Sequence, residues 1–143
     1  MNTQSAAACA KEMGNWSFDA MFICFRDNFS CVYCEINLLE DRGFPDGDIF
    51  KYFSHFDHLL PKSKYPELEE EKSNKVLSCM PCNRRKRSWD PNEKDPSYPS
   101  GSGRALGDEE RQRFIDLTKK WLEPLSQKDR AQFSKLKKLI NGA

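Results

Sequence analysis

Asp57-His58-Leu59-Leu60-Pro61 opens the stretch that decides the fold, and Asn74-Lys75-Val76-Leu77-Ser78-Cys79-Met80-Pro81-Cys82-Asn83-Arg84-Arg85-Lys86 closes it. Tyr52 to Leu60 alternates aromatic and polar residues, the pattern of a half-buried strand, and Pro61 ends it. Lys62 to Ser73 is a charged loop containing Glu69-Glu70-Glu71. Lys75 to Ser78 predicts a short second strand, and Met80 to about Trp89 a helix stopped by Asp90-Pro91.

Upstream of the first strand lies Cys31-Val32-Tyr33-Cys34, with 44 residues between it and the second pair, Cys79 and Cys82. Two Cys-x-x-Cys knuckles supply the four soft ligands that tetrahedral zinc takes. Zinc held this way is structural, because four thiolates leave no open position for water. The strand carrying Asp57 must then lie inside the loop that the metal closes. Cys24 sits beside Phe22 and Phe25 and reads as a core residue, and Cys9 is unpaired in sequence.

Phosphodiester hydrolysis needs an activated water and positive charge on the developing oxyanions. Histidine's unperturbed pKa lies near neutrality, which makes His58 a candidate general base. Asp57 precedes it and points to the opposite strand face, where a carboxylate can hold a hard cation. Asn83 opens the following helix and offers a carbonyl oxygen as second ligand. Two oxygen ligands with room for water and phosphate suit Mg²⁺ or Mn²⁺. His55 shares a strand face with Asp57 and reads as a surface or packing residue, a third cation ligand or phosphate contact being the alternative.

The order Cys-x-x-Cys, Asp-His, Asn, Cys-x-x-Cys-Asn resembles the HNH endonuclease family over roughly residues 22–90. That resemblance implies His58 as general base, Asp57 and Asn83 as ligands of the catalytic metal, and Asn74 as the middle Asn that holds the loop orienting the histidine. It also implies cleavage leaving 5′-phosphate and 3′-hydroxyl ends. Two departures stand out: Glu35 follows the second Cys where the family often has Gly, and the acidic loop before Asn74 lacks the usual Gly-Gly.

Composition bounds the rest. The 143 residues suggest one domain with a helical appendage, and 38% hydrophobic against 31% charged residues leave a modest core that metal would help to fold. No run of 18 apolar residues or signal-peptide core is present, so a cytoplasmic, reducing location is expected, with the cysteines as ligands rather than disulfides. The net charge of +1 hides a gradient: residues 1–61 carry 4 basic against 9 acidic groups, residues 62–107 carry 10 against 7, and residues 108–143 carry 9 against 6. Arg84, Arg85, Lys86 and Arg87 form the densest basic cluster and read as nucleic-acid contacts, although one helical turn cannot point all four the same way. Tyr33, Tyr52, Phe53 and Trp89 read as core rather than base-stacking platforms.

The chain divides into a flexible N-terminus at 1–14, a nuclease domain with zinc knuckles at 15–91, a linker or surface loop at 92–107 rich in Pro, Gly and Ser, and a C-terminal helical extension at 108–143. Phe18, Met21, Phe22 and Phe25 predict a short amphipathic helix ending near Arg26, and residues 40–48 read as a loop. In the extension Pro124 predicts a break between two helices, the second started by Ser126. The expected architecture is α+β: a ββα-metal core stapled by a four-Cys zinc site, with an N-terminal helix and a C-terminal helical pair. The expected function is Mg²⁺-dependent hydrolysis of DNA, RNA not excluded, with a protein partner or self-association through 108–143. A zinc-dependent nucleic-acid-binding module that does not cut is the rival.

Overall fold

The computed structural model describes residues 3–14, 17–40, 50 and 53–142. The expected loop at 40–48 and the start of the expected strand at Tyr52 fall almost wholly outside them. Among the described residues the architecture is mixed α+β, built on one two-stranded antiparallel sheet. Its strands are β1 (Ser54–His58) and β2 (Lys75–Cys79), and Asp57 lies opposite Val76. Before them come α1 (Thr3–Met13) and α2 (Phe18–Arg26); after them come α3 (Met80–Lys86), the single turn α4 (Pro91–Lys94) and α5 (Asp108–Asn141).

Helix α2 starts where Ser17 caps the Ala20 amide at 3.1 Å, and its Met21, Ile23 and Cys24 are buried. The N-terminus departs from expectation. Thr3–Met13 is helical, because an alanine-rich run has high helix propensity and Ala6 is buried against the core. Strand β2 is buried from Val76 to Cys79, so it forms the middle of the small domain.

Asp27 ties three elements together. Its carboxylate accepts from the Leu77 amide of β2 at 2.9 Å, from Arg26 at 3.0 and 3.1 Å, and from Arg111 of α5 at 2.7 Å. Arg26 also donates to the carbonyls of Lys72 and Lys75. Of the two expectations for residues 92–107, linker or surface loop, the structure has the loop, pinned to the body. Asn92 bonds Tyr65 Oη and the Tyr98 backbone, Tyr65 donates to Asp90 at 2.8 Å, and Leu106 is buried.

The C-terminal extension is one helix of 34 residues, not a pair. Pro124 removes one backbone bond, a cost of about 3 kcal/mol in a helix interior. It lies on the exposed side, where water can satisfy the freed carbonyl. Leu122 and Leu125 on either side of it pack against the core and keep the helix continuous. Phe114, Ile115, Thr118 and Leu122 are buried, whereas Phe133, Leu136, Leu139 and Ile140 stand exposed beyond the body. No helix among the described residues is long and apolar enough to cross a membrane.

Asp27→Ala should cost about 2–4 kcal/mol, because it leaves the half-buried Arg111 without its counter-charge and orphans the buried Leu77 amide. Chemical denaturation of the metal-loaded protein measures this; a cost below about 1 kcal/mol would demote Asp27 from hub to surface pair.

Candidate active site and metal centre

The first Cys pair sits in a tight turn after α2. The Cys31 amide donates to the Ile36 carbonyl at 3.0 Å and the Glu35 amide returns to the Cys31 carbonyl at 2.8 Å, which closes the turn. The Val32 amide donates to Leu77 of β2 at 3.0 Å, docking the turn on the sheet. Glu35 takes φ +66, the left-handed conformation that Gly adopts without strain, which is a physical reason for glycine at that position in other sequences. The second pair straddles the junction of β2 and α3, with Cys79 closing the strand and Cys82 in the first helical turn.

All four sulfurs lie within 4.8 Å of one another, and Cys34 Sγ is 3.7 Å from Cys79 Sγ. A tetrahedron with Zn–S near 2.3 Å has an edge of about 3.8 Å, so the donor set fits zinc. Crowding splits the thiols' acidity. Hydrogen bonding to Cys31 and then Cys79 and Cys82 draws Cys34 well below its ordinary value. Hydrogen bonding to Cys31 and then Cys34 pushes Cys79 and Cys82 well above theirs. Four thiols this close cannot all ionise on their own, and a bound dication removes that conflict. Cys24 lies outside the cluster, its thiol pushed up to about 12 by burial and by Asp27, and it is a core residue as expected.

Strand β1 ends at His58, and just beyond that end is a cavity of about 220 Å³. Asp57 and His58 leave the strand on opposite faces, yet both line this cavity, together with Arg87. His58 Nε2 lies 2.9 Å from the Glu69 carbonyl, which can only accept. Nε2 therefore carries the hydrogen, and Nδ1 of the neutral ring is the basic nitrogen. Asn74 is fully buried and brackets Leu60, accepting from its amide at 2.8 Å and donating to its carbonyl at 3.0 Å; its own carbonyl accepts from Leu59. The chain leaving His58 is thereby fixed to the start of β2.

Asp57 is buried and held from two sides. Tyr33 Oη donates to its Oδ2 at 2.6 Å, and Lys86 Nζ stands 3.3 Å from the same oxygen while donating to the His58 carbonyl at 2.7 Å. Burial, and then the Asp57 charge, push the Tyr33 hydroxyl well up, so it remains a donor. Burial lowers the Lys86 ammonium, and Asp57 opposes that shift.

The basic run does not act as one surface. Lys86 has no exposed area and belongs to the Asp57 cluster, so its expected place among the nucleic-acid contacts is corrected. Arg85 pairs with Asp129 of α5 at 2.6 Å. Arg84 and Arg87 remain exposed. Helix α3 stops sooner than expected, because Arg87 turns to φ +51 at its C-cap. Asn83 shares a helix face with Lys86 and Arg87 but lies outside the cavity wall. His55 lies opposite Ser78, half-buried, and does not line the cavity. Sequence reasoning missed the polar role of Tyr33; its position inside the first knuckle was the available signal, since a buried Tyr hydroxyl needs a partner. The Glu69 carbonyl had no signal.

Comparison with known proteins agrees with this arrangement. The family model described as HNH endonuclease matches residues 31–88. The Septu protein PtuB of Bacillus thuringiensis is 38% identical over 69 residues, which are 48% of this chain and 23% of that protein. The chain thus matches less than a quarter of that relative's length. Residues 31–88, which match the HNH endonuclease model, bring the cysteine cluster, the Asp-His strand end and the following helix into one unit.

Proposed function

We propose that this domain hydrolyses phosphodiester bonds of DNA, with His58 as general base. The observation that carries the reading is the cavity shared by His58, Asp57 and Arg87, with the His58 ring oriented by the Glu69 carbonyl. Nδ1 of His58 takes the proton of the attacking water, and the fixed Nε2–H bond keeps the ring aimed as it does so. Tyr33 and Lys86 hold the Asp57 carboxylate in one orientation. Arg87, in the same cavity lining, offers a guanidinium to the phosphate. Asp57, with Asn83 from α3, would hold a Mg²⁺ or Mn²⁺ ion, which when bound supplies positive charge to the scissile phosphate and its leaving oxygen. The family resemblance favours 5′-phosphate and 3′-hydroxyl products. Zinc on Cys31, Cys34, Cys79 and Cys82 stays structural, and a reducing compartment such as the cytoplasm suits those thiols.

The exposed end of α5 is proposed to dock another protein. Residues 128–141 combine Phe133, Leu136, Leu139 and Ile140 with five basic groups and one acidic group. Like charges oppose pairing with a second copy, so the fitting occupant is an apolar surface with an acidic rim. Sedimentation should show a monomer at micromolar concentration; a concentration-dependent dimer would reassign the surface to self-association.

In a plasmid-nicking assay with Mg²⁺, His58→Ala should slow cleavage at least about a hundredfold while remaining folded. His55→Ala should have a smaller effect. Equal rates for His58→Ala and the parent exclude the mechanism, and no cleavage by the parent favours the non-cutting binding module. Asp57→Asn is a better probe than alanine, because Lys86 is buried against the carboxylate; it and Asn83→Ala should raise the cation concentration needed for cleavage.

Elemental analysis of purified protein should find one zinc per chain. Cys79→Ser should be unfolded or insoluble, since structural zinc contributes roughly 10 kcal/mol or more of folding energy. Active protein free of zinc would refute this assignment.

A further inference from the structure

Helices α3 and α5 enclose a groove of about 610 Å³ next to the active-site cavity. Arg87 lines both, so the groove and the cavity holding His58 and Asp57 are neighbours. Arg84 lines the groove and also a smaller hollow of about 210 Å³ at the start of α3, so the depression runs the length of that helix. From α5 come Trp121, Leu125, Lys128, Asp129 and Gln132.

The charges in this groove sort cleanly. Asp129 is its one acid and is taken up by Arg85 at 2.6 Å. Arg84, Arg87 and Lys128 are exposed and have no ion pair among the described residues. The ring of Trp121 stacks on Trp89 at 5.1 Å and 14°, so one of its faces is already covered. A trough with three uncommitted cations and little open aromatic surface suits a chain of phosphates better than bases or a small apolar ligand.

We infer that this groove holds the phosphodiester backbone of the nucleic-acid strand that enters the active site, with Arg84, Arg87 and Lys128 on its phosphates and Gln132 as a neutral donor. The inference rests on the nuclease reading and extends the substrate site into α5, beyond residues 31–88. The continuity of α5 through Pro124 matters here, because a break there would swing Lys128 and Gln132 away from α3.

The test is fluorescence anisotropy on the His58→Ala protein, which binds without cutting. Labelled duplex DNA, single-stranded DNA and RNA are titrated over a salt series. The pair Arg84→Gln with Lys128→Gln should weaken binding at least about tenfold, alike on unrelated sequences. It should flatten the log–log salt slope by roughly 0.7–0.9 for every phosphate no longer neutralised. Lys137→Gln with Lys138→Gln makes the same charge change on the far end of α5 and should alter neither. Zinc content and melting temperature certify folding, and Lys128→Gln alone serves if the pair does not fold. Equal weakening by both pairs, or by neither, overturns the groove. Weakening confined to one probe supports it and identifies the occupant. Nicking by the parent protein separates the two readings: a parent that cuts while the groove variants bind normally sinks the groove alone. A parent that never cuts while those variants bind more weakly sinks the hydrolysis and leaves the groove.

Discussion

Four sulfurs within 4.8 Å join two points of the chain that are 44 residues apart, and the strand carrying Asp57 and His58 hangs between them. Closing a loop of that length costs the unfolded chain several kcal/mol of entropy, and a strand pair of five residues each returns little against it. A metal held by these four sulfurs would supply what the small sheet lacks. It also acts locally. Tyr33 lies between Cys31 and Cys34, and Asn83 and Lys86 follow Cys82 by one and four residues. Each arm of the cluster therefore carries a residue that reaches for Asp57: Tyr33 on one, Lys86 on the other. Removing the ion would loosen the carboxylate and the fold together.

The pairing of Asp57 with Lys86 is costly by itself. Removing both charges from water is offset only where geometry and extra hydrogen bonds are good, and an apolar pair of equal volume is often as stable. Here the ammonium also binds the His58 carbonyl and the carboxylate also accepts from Tyr33. Those bonds fix the directions of two adjacent residues whose side chains serve one cavity from opposite strand faces. Orientation, more than stability, is what this arrangement gains. Asp27 is the contrasting case: its partners come from α2, β2 and α5, and it organises packing away from the cavity.

How much was readable in advance follows from the range of each cause. The strand–loop–strand–helix order, the cysteine pairs and the Asp-His strand end are set by local pattern and spacing, and residues 75–86 show them plainly. The fate of the basic run is not local. Lys86 is buried because Asp57, far away in sequence, needs a counter-charge, and Arg85 turns outward to Asp129. A run of four cations looks uniform until tertiary partners divide it. Pro124 misled for a related reason. Its helix-breaking cost is real, but burial of Leu122 and packing of Leu125 on either side outweigh it. Thr3–Met13 had the opposite fault: a weakly patterned alanine run became a helix once Ala6 found a core to enter.

Helix α5 changes what the family portion can do. A ββα unit alone offers a short helix of seven residues, too small to grip more than a phosphate or two. Laying a 34-residue helix beside it, fastened by Arg85–Asp129 and by the stacked Trp89 and Trp121, turns one exposed helix face into the wall of a trough. The fastening consumes one cation and one acid of equal charge, so the net field of the trough is untouched while its shape becomes fixed. Rigid placement of cations lets binding energy orient a bound polyanion rather than merely attract it. The same helix then runs on past the body with its apolar residues bare, so the segment that walls the trough also carries an exposed apolar end.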